Sequence, residues 1–357
     1  MAETILMKGN EAVAEAAIRG GCRFFFGYPI TPQSEVPEYV SRRLPEVGGV
    51  FLQAESEVAA INMVYGAGGA GARVMTSSSS PGISLKQEGI SYIAGAEIPC
   101  VIVNMVRGGP GLGTIQPAQS DYFQATKGGG HGDYRILVFA PASVQEMVDL
   151  TIESFDLADK YRNPVMIMGD GILGQMMEPV RFPDGPDRPN PEKPWATTGK
   201  RGRKKVNLIS SLNIEPEKME EHNWKLHRKY REMEKNEVRF ETDDVDGADV
   251  IIVAYGTTAR VARSAIRKAA ERGYRVGLLR PITLWPFPYA PLRELAPRVK
   301  AFLVVEMSTG QMVDDVKIGV EGKAPVCFHG RPGGMIPDPE GIVQEIDRIM
   351  TGRGARA

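Results

Sequence analysis

Four short strings carry residue types that can do chemistry. In AESEVAA, Glu55 and Glu57 stand where an apolar strand hands over to a helix. The helix dipole favours acids in such a first turn whatever their role. A carboxyl shut away from water there can also hold or move a proton near neutral pH. In VRGGPGLG, Arg107 opens a glycine-rich loop behind an apolar run. It is either a rim charge or a guanidinium placed to grip a carboxylate bidentately. In GYPITP, Thr31 lies between two prolines. Pro32 suits the first position of a helix and Thr31 its N-cap, and the same helix start offers free N–H groups to an anion. Ser77-Ser78-Ser79-Ser80-Pro81-Gly82 is a second strand-to-helix turn, rich in hydroxyls, with Ser80 its natural cap.

Other patterns point away from chemistry. Gly66 to Gly71 spells G-x-G-x-x-G, but it follows a helical stretch and precedes a strand, the reverse of a dinucleotide fingerprint; it reads as a helix end packed close to a sheet. Gly169-Asp170-Gly171 is similar to the start of the metal and diphosphate motif of thiamine enzymes. The asparagine that should follow about 25 to 30 residues on is missing, since Asn190 falls too early and in a proline-rich stretch; no metal site is expected on this chain. Cys22, Cys100 and Cys327 are far apart and form no CxxC, so buried reduced thiols are expected. His222 and His227 sit in a charged stretch. Neither His131, a possible site residue, nor His329 has a nucleophile or ligand pattern around it.

The elements that must position these groups follow from patterning. With 357 residues, 42% hydrophobic, 24% charged and a net charge of -1, the chain has ample core material and no basic footprint for nucleic acid or a membrane surface. It has neither a secretory leader pattern nor an apolar run near the roughly 20 residues that span a bilayer, which predicts a cytoplasmic protein. From residue 9 to 175, short apolar strands (RFFFGY, GVFLQA, RVMTS, PCVIVNMV, RILVFA, PVMIMG) alternate with amphipathic helical stretches. This predicts an α/β fold with a mostly parallel sheet covered on both faces. Residues 176–245, rich in proline and charge, read as a surface connector ending in an exposed helix. Residues 246–357 form a second, smaller α/β unit that opens with ADVIIVAYGTTARVARSAI.

Taken in order and spacing, GYPITP, AESEVAA, TSSSSPG, VRGGPGLGTIQPAQSDYF, ADVIIVAYGTTARVARSAI and RPITLWPFP resemble the alpha subunit of the 2-oxoacid:ferredoxin oxidoreductases, over nearly the whole chain. Length and the MGDGILGQMMEP segment are most similar to the branched-chain, 2-oxoisovalerate type, next to the 2-oxoglutarate type. The resemblance implies a thiamine diphosphate-binding, pyrimidine-domain fold followed by a transketolase C-terminal-like domain. It implies a beta subunit that completes the site with the diphosphate and Mg²⁺ contacts and an iron–sulfur (4Fe–4S) cluster. Gamma and ferredoxin-like delta parts are split or fused differently among members. The activity implied is oxidative decarboxylation of a 2-oxoacid with coenzyme A and ferredoxin. The resemblance assigns Glu57, rather than Glu55, to N1′ of the aminopyrimidine, and Thr31 and Arg107 to the substrate carboxylate. It places Tyr28, Pro29 and Ser80 beside the cofactor, and Ser77 to Ser79 and Gln116 to Asp121 along the cleft. A non-catalytic assembly subunit with the same fold is the reading from another class.

Overall fold

A computed structural model describes residues 4–184 and 187–352. The larger unit is built on a seven-stranded sheet in the order Thr283–Trp285, Leu137–Phe139, Pro164–Asp170, Cys100–Val106, Val74–Ser78, Phe24–Gly27, Val50–Gln53. Six strands run parallel and only the edge strand Thr283–Trp285 is antiparallel, against Leu137–Phe139. The two central strands Cys100–Val106 and Pro164–Asp170 are buried along their whole length. A strand covered by helices on both faces reads as a continuous apolar run, which these do.

The smaller unit has a five-stranded sheet in the order Val326–Gly330, Ala301–Glu306, Val250–Val253, Val276–Pro281, Phe240–Asp243, the last one antiparallel. Its strands alternate between two cores. Val250, Ile252, Leu303 and Val305 face helices Gly256–Glu271 and Pro339–Met350, whereas Ile251, Val253, Phe302 and Val304 belong to the core shared with the larger unit. The period-2 geometry of a strand makes that division automatic.

The stretch between the units is less of a connector than its composition predicts. Met177–Arg181 pairs antiparallel with Thr4–Lys8, and Phe240–Asp243 joins the second sheet, so both ends of the 176–245 segment are strands. Between them, Asn190 donates to Gly71 O and Thr197 to Gly69 O, fastening the proline-rich part to the first unit. Helix Pro216–Asn236 is charged and mostly exposed, burying Leu226, Tyr230 and Met233. The helix end at Gly66 to Gly71 packs as the sequence predicts: a Cβ on Gly68 would lie 2.5 Å from Ile98 Cγ2. Cys22 and Cys100 are buried and free, and burial pushes both thiols up to about 12. Among the described residues, no helix is long and apolar enough to cross a membrane.

Candidate functional site

The strand order creates the site. From Phe24–Gly27 the chain crosses to one neighbour, Val50–Gln53, and then returns on the other side as Val74–Ser78. The loops leaving these two strands diverge at a topological switch point, where open α/β sheets form the crevice that takes their ligands. GYPITP, the serine turn and the Arg107 loop all emerge at this edge.

Arg107 is only 7% exposed. Its Nη1 donates to Thr31 O (3.0 Å) and its Nη2 to Leu112 O (3.1 Å), while Nε is buried without a partner. The structure thus brings together two residues that lie 76 positions apart in the sequence, with three helices and three strands between them. Thr31 does not cap a helix, contrary to expectation. Residues 30–33 form a turn, with Gln33 N–H donating to Ile30 O, and the Pro32 carbonyl accepts from Asn10 and Gln175 side chains. The helix begins later, at Glu35 behind Ser34. Thr31 is left exposed at the mouth beside Tyr28 and Pro29.

Ser80 is not the cap of its helix either. The helix Ser80–Gly95 starts on Ser80 with Ser79 as N-cap. The Ser80 hydroxyl is engaged by the main chain of Arg107, donating to its O and accepting from its N–H at 3.1 Å. The serine turn therefore fixes the Arg107 backbone while the loop fixes the guanidinium.

The two acids of AESEVAA separate cleanly. Glu55 is exposed, whereas Glu57 is buried as the first residue of helix Glu57–Gly69. Ser56 caps that helix, its hydroxyl accepting from Ala59 N–H at 3.1 Å. The Glu57 carboxylate lies against Gly82: a Cβ there would come within 2.6 Å of Oε1 and 2.1 Å of Ser78 Oγ. Glycine is what allows the acid, the serine turn and the helix start to meet.

Around this point lie buried polar atoms with no partner, namely Gln33 Nε2, Ser78 Oγ and Ser79 Oγ. Gln33 is held through its amide oxygen by the Ser77 hydroxyl. A buried unsatisfied group costs about 1–3 kcal/mol, so several in one crevice beside a buried acid are what a polar ligand would satisfy. Lys86 is fully buried beneath the same turn, donating to Thr76 Oγ1 (2.6 Å) and Ser77 O (3.0 Å). Burial drives its ammonium down to about 7, opposed by the Glu57 charge. Asp121 accepts from Asn104 Nδ2 at 3.0 Å, and burial raises its carboxyl against the pull of Asn104 and Ser80.

Other expected cleft residues lie elsewhere. Gln119 turns into the second unit, donating to Tyr255 O and accepting from Thr258 Oγ1 and Met307 N–H. Gln116 is exposed against Gly334. His131 is exposed and meets Tyr92 edge-on. Asp170 caps the short helix Gly171–Gln175, accepting from Ile172 and Leu173 N–H. Sequence reasoning passed over Gln33, Gly82 and Lys86. Lys86 leaves a signal: it stands three residues after Ile83 and four before Ile90, on one helical stripe with two fully buried side chains.

The parallel sheet with its switch point, the buried acid and the second α/β unit make a transketolase-like α/β fold. A split-gene transketolase described as an inactive beta4 tetramer has the same fold, with a TM-score of 0.61 at 15% identity, over 97% of this chain and 98% of that one. The family described as "Pyruvate flavodoxin/ferredoxin oxidoreductase, thiamine diP-bdg" matches residues 15–243, and the core domain II of pyruvate:ferredoxin oxidoreductase matches 248–342. The chain belongs to this oxidoreductase family. Ketoisovalerate oxidoreductase subunit VorB of Methanothermobacter thermautotrophicus is 53% identical over 97% of this chain and 98% of its own. The 2-oxoglutarate synthase subunit KorA of Methanocaldococcus jannaschii is 36% identical over 97% and 99%. A 2-oxoglutarate:ferredoxin oxidoreductase structure from Magnetococcus marinus, with 2-oxoglutarate, coenzyme A and succinyl-CoA bound, superimposes with a TM-score of 0.86 at 30% identity. It covers 98% of this chain, which spans 66% of that one.

Proposed function

We propose that this chain is the alpha subunit of a cytoplasmic complex that decarboxylates 2-oxoisovalerate oxidatively with coenzyme A, giving an acyl-CoA and CO₂ and reducing ferredoxin. The single observation that carries the reading is that one serine turn holds both parts of the site: its Gly82 lies against the buried Glu57 carboxylate, and its Ser80 bonds the main chain of Arg107, whose guanidinium reaches Thr31. The branched-chain substrate is favoured over 2-oxoglutarate by 53% identity to the ketoisovalerate subunit against 36% to 40% for the archaeal 2-oxoglutarate subunits.

The buried orphan groups at Gln33, Ser78 and Ser79 and the Gly82 cradle suit the pyrimidine half of thiamine diphosphate. When bound, that cofactor supplies the carbanion chemistry of decarboxylation. This chain's residues do the rest. Glu57, set against Gly82, would hold a proton at pyrimidine N1′. Ser78, Ser79 and the amide of Gln33 offer hydrogen bonds to the ring. Arg107, anchored at its backbone by Ser80, presents positive charge to the substrate carboxylate beside Thr31, keeping it oriented until it departs as CO₂. Tyr28 and Pro29 form the rim.

The mouth is open on this chain. Leu112 is 83% and Ile115 56% exposed on the Arg107 loop, and Tyr28 is exposed in GYPITP. A beta subunit seated there would cover them and bring the diphosphate and Mg²⁺ contacts and a 4Fe–4S cluster, with gamma and ferredoxin-like delta parts either separate or fused. The test is co-purification of the native complex followed by viologen reduction with coenzyme A and pyruvate, 2-oxoisovalerate or 2-oxoglutarate. Preference for 2-oxoisovalerate supports the reading and preference for 2-oxoglutarate replaces the substrate. Tight thiamine diphosphate and Mg²⁺ binding with decarboxylation by this chain alone overturns the shared site, and activity unaffected by Glu57→Gln makes the chain a non-catalytic assembly subunit.

A further inference from the structure

Two cavities open along one side of helix Pro216–Asn236, and the site at the serine turn uses neither. One, of about 490 Å³, has Trp224, His227 and Tyr230 in its wall. The other, of about 600 Å³, has Lys127, Arg135, Lys235 and Arg293 together with Trp285 and Phe287. Arg135, Arg231 and Glu234 line both, so the two are lobes of one groove. Each lobe has the size of a small-molecule site, about 300–1,000 Å³. Trp224, His227, Arg231 and Glu234 recur at three- and four-residue spacing and stand in one row on the helix. A charged helix that merely faces water keeps its aromatic residues inward, as this one does with Tyr230. Trp224 is instead 55% exposed, with its indole N–H donating to Glu220 at 3.4 Å and its ring meeting His227 edge-on. The Tyr230 hydroxyl is buried without a hydrogen-bond partner, the mark of a wall whose polar complement this chain does not supply. The charges do not cancel: five cations of the groove stand against the acids Asp133, Glu234 and Asp315. Lys127 is paired with buried Asp315, Arg231 with Glu234 and Arg293 with Glu321. Among the described residues, Arg135 and Lys235 have no acid within ion-pair distance, and both are exposed.

We propose that this groove binds a nucleoside diphosphate, with the base in the Trp224 lobe and the phosphates in the lobe of Arg135 and Lys235. The order of chemistry along the groove is the order of groups in such a ligand. An exposed indole offers a stacking surface to a base. The Glu234 carboxylate, at the join of the lobes, accepts from ribose hydroxyls. Arg135 and Lys235, free of acids, hold the two phosphoryl groups through charge-assisted hydrogen bonds. Inorganic phosphate or an acidic peptide would engage the cations and leave Trp224 idle. The walls come from the connector helix, from the stretch before strand Leu137–Phe139 and from the residues after edge strand Thr283–Trp285. A ligand seated there ties three separate segments together and stabilises the fold in proportion to its occupancy.

The test uses the full chain purified with its native partners and saturated with thiamine diphosphate, so that diphosphate-binding groups of that site are already filled. ADP is the probe, titrated calorimetrically, with adenosine, pyrophosphate, coenzyme A and polyglutamate as comparison ligands. ADP should bind, and adenosine and pyrophosphate should each bind about tenfold more weakly or worse. Trp224→Ala should raise the ADP dissociation constant about fivefold or more and leave that of pyrophosphate unchanged. Arg135→Gln and Lys235→Gln should each weaken ADP and pyrophosphate about tenfold and leave adenosine unchanged. All three side chains are exposed, so the variants should keep the wild-type melting temperature without nucleotide, which separates lost binding from lost fold. Coenzyme A carries the same adenine and diphosphate groups. Competition with ADP that disappears in Trp224→Ala assigns the groove to that end of coenzyme A, and no competition assigns it to a free nucleotide. Four results overturn the proposal: no ADP binding at millimolar concentration, wild-type ADP affinity in all three variants, pyrophosphate binding as tightly as ADP, or displacement of ADP by polyglutamate with Trp224→Ala without effect. The last of these makes the groove a docking surface for an acidic protein.

Discussion

The Arg107 guanidinium donates to the main-chain oxygen of Thr31 at 3.0 Å, while the Arg107 backbone is clamped on both sides by the Ser80 hydroxyl at 3.1 Å. A cation fixed at both ends loses little freedom when a carboxylate arrives, which is the value of preorganisation. Its unpartnered Nε is one hydrogen-bond donor still unused inside the protein.

Arg107→Lys should therefore weaken use of the 2-oxoacid and spare the cofactor. Lysine keeps the charge and loses the planar fork. A charge-assisted hydrogen bond is worth about 1.5–3 kcal/mol, so KM for the 2-oxoacid should rise about 10- to 100-fold. Thiamine diphosphate affinity should change little. Steady-state kinetics with cofactor titration separates the two, and equal losses in both would remove the substrate-carboxylate role.

Glu57→Gln should leave the complex assembled and lower turnover by about 10²- to 10⁴-fold, the usual contribution of a positioned acid–base group. Glutamine fits the same space beside Gly82 and keeps hydrogen bonding without an ionisable proton. Gel filtration checks assembly and viologen reduction checks turnover. Glu55→Gln, two residues away and exposed, is the control and should behave as wild type.

Much of this architecture is written locally, and the exceptions share a cause. Runs such as CVIVNMV and PVMIMG announce buried parallel strands because both faces are covered. AESEVAA marks the helix start, yet nothing in it tells Glu55 from Glu57, since both fit a first turn; only the family resemblance chose Glu57, and the structure buries it. Thr31-Pro32 has the composition of a cap but sits in a turn, because the Asn10 and Gln175 side chains, 22 and 143 residues away, take the Pro32 carbonyl. Thr283–Trp285 joins a sheet whose partner strand is Leu137–Phe139, a pairing no local pattern encodes. Gln119 looks like a cleft residue beside the glycine loop and is instead an inter-unit strut, because its partners Tyr255, Thr258 and Met307 belong to the distant unit.

Gly82→Ala tests how the crevice is closed. The added methyl would meet Ser78 Oγ at 2.1 Å and Glu57 Oε1 at 2.6 Å, so at least one of them must move. Alanine suits a helix better than glycine by about 1 kcal/mol. The variant should therefore keep its fold and lose activity by about tenfold or more through misplacement of Glu57. Wild-type turnover together with wild-type cofactor affinity would mean that Glu57 need not sit where it does.

Gln119→Ala should loosen the two units. The change leaves the buried Met307 N–H without its side-chain partner, whereas Tyr255 O keeps the Thr258 hydroxyl; one orphaned buried group costs about 1–3 kcal/mol. A loss of about 1–3 kcal/mol in urea unfolding is expected, with turnover at low temperature little changed because Gln119 does not face the crevice. An undiminished midpoint would place the coupling in the shared apolar core alone.

Lys86→Met should show how stability depends on pH. In the folded chain the ammonium releases its proton at about 7 rather than at the usual 10.5. Between these values the unfolded chain binds a proton that the folded chain does not, so stability contributed by this site rises with pH. Put the other way, the buried charge weakens the fold fully below about pH 7, and the penalty fades as pH climbs toward 10.5. Methionine has no such penalty and fills the stripe with Ile83 and Ile90. In urea unfolding of the full chain, the Lys86→Met advantage over wild type should be greatest at pH 6.5 and smaller at pH 9 by roughly 2 kcal/mol, since each pH unit in this window is worth about 1.4 kcal/mol. Titrating groups that do not interact with Lys86 cancel in the difference between the two chains. An advantage that is constant with pH would mean that the lysine is charged at both values, and one that grows with pH would reverse the sign of its burial.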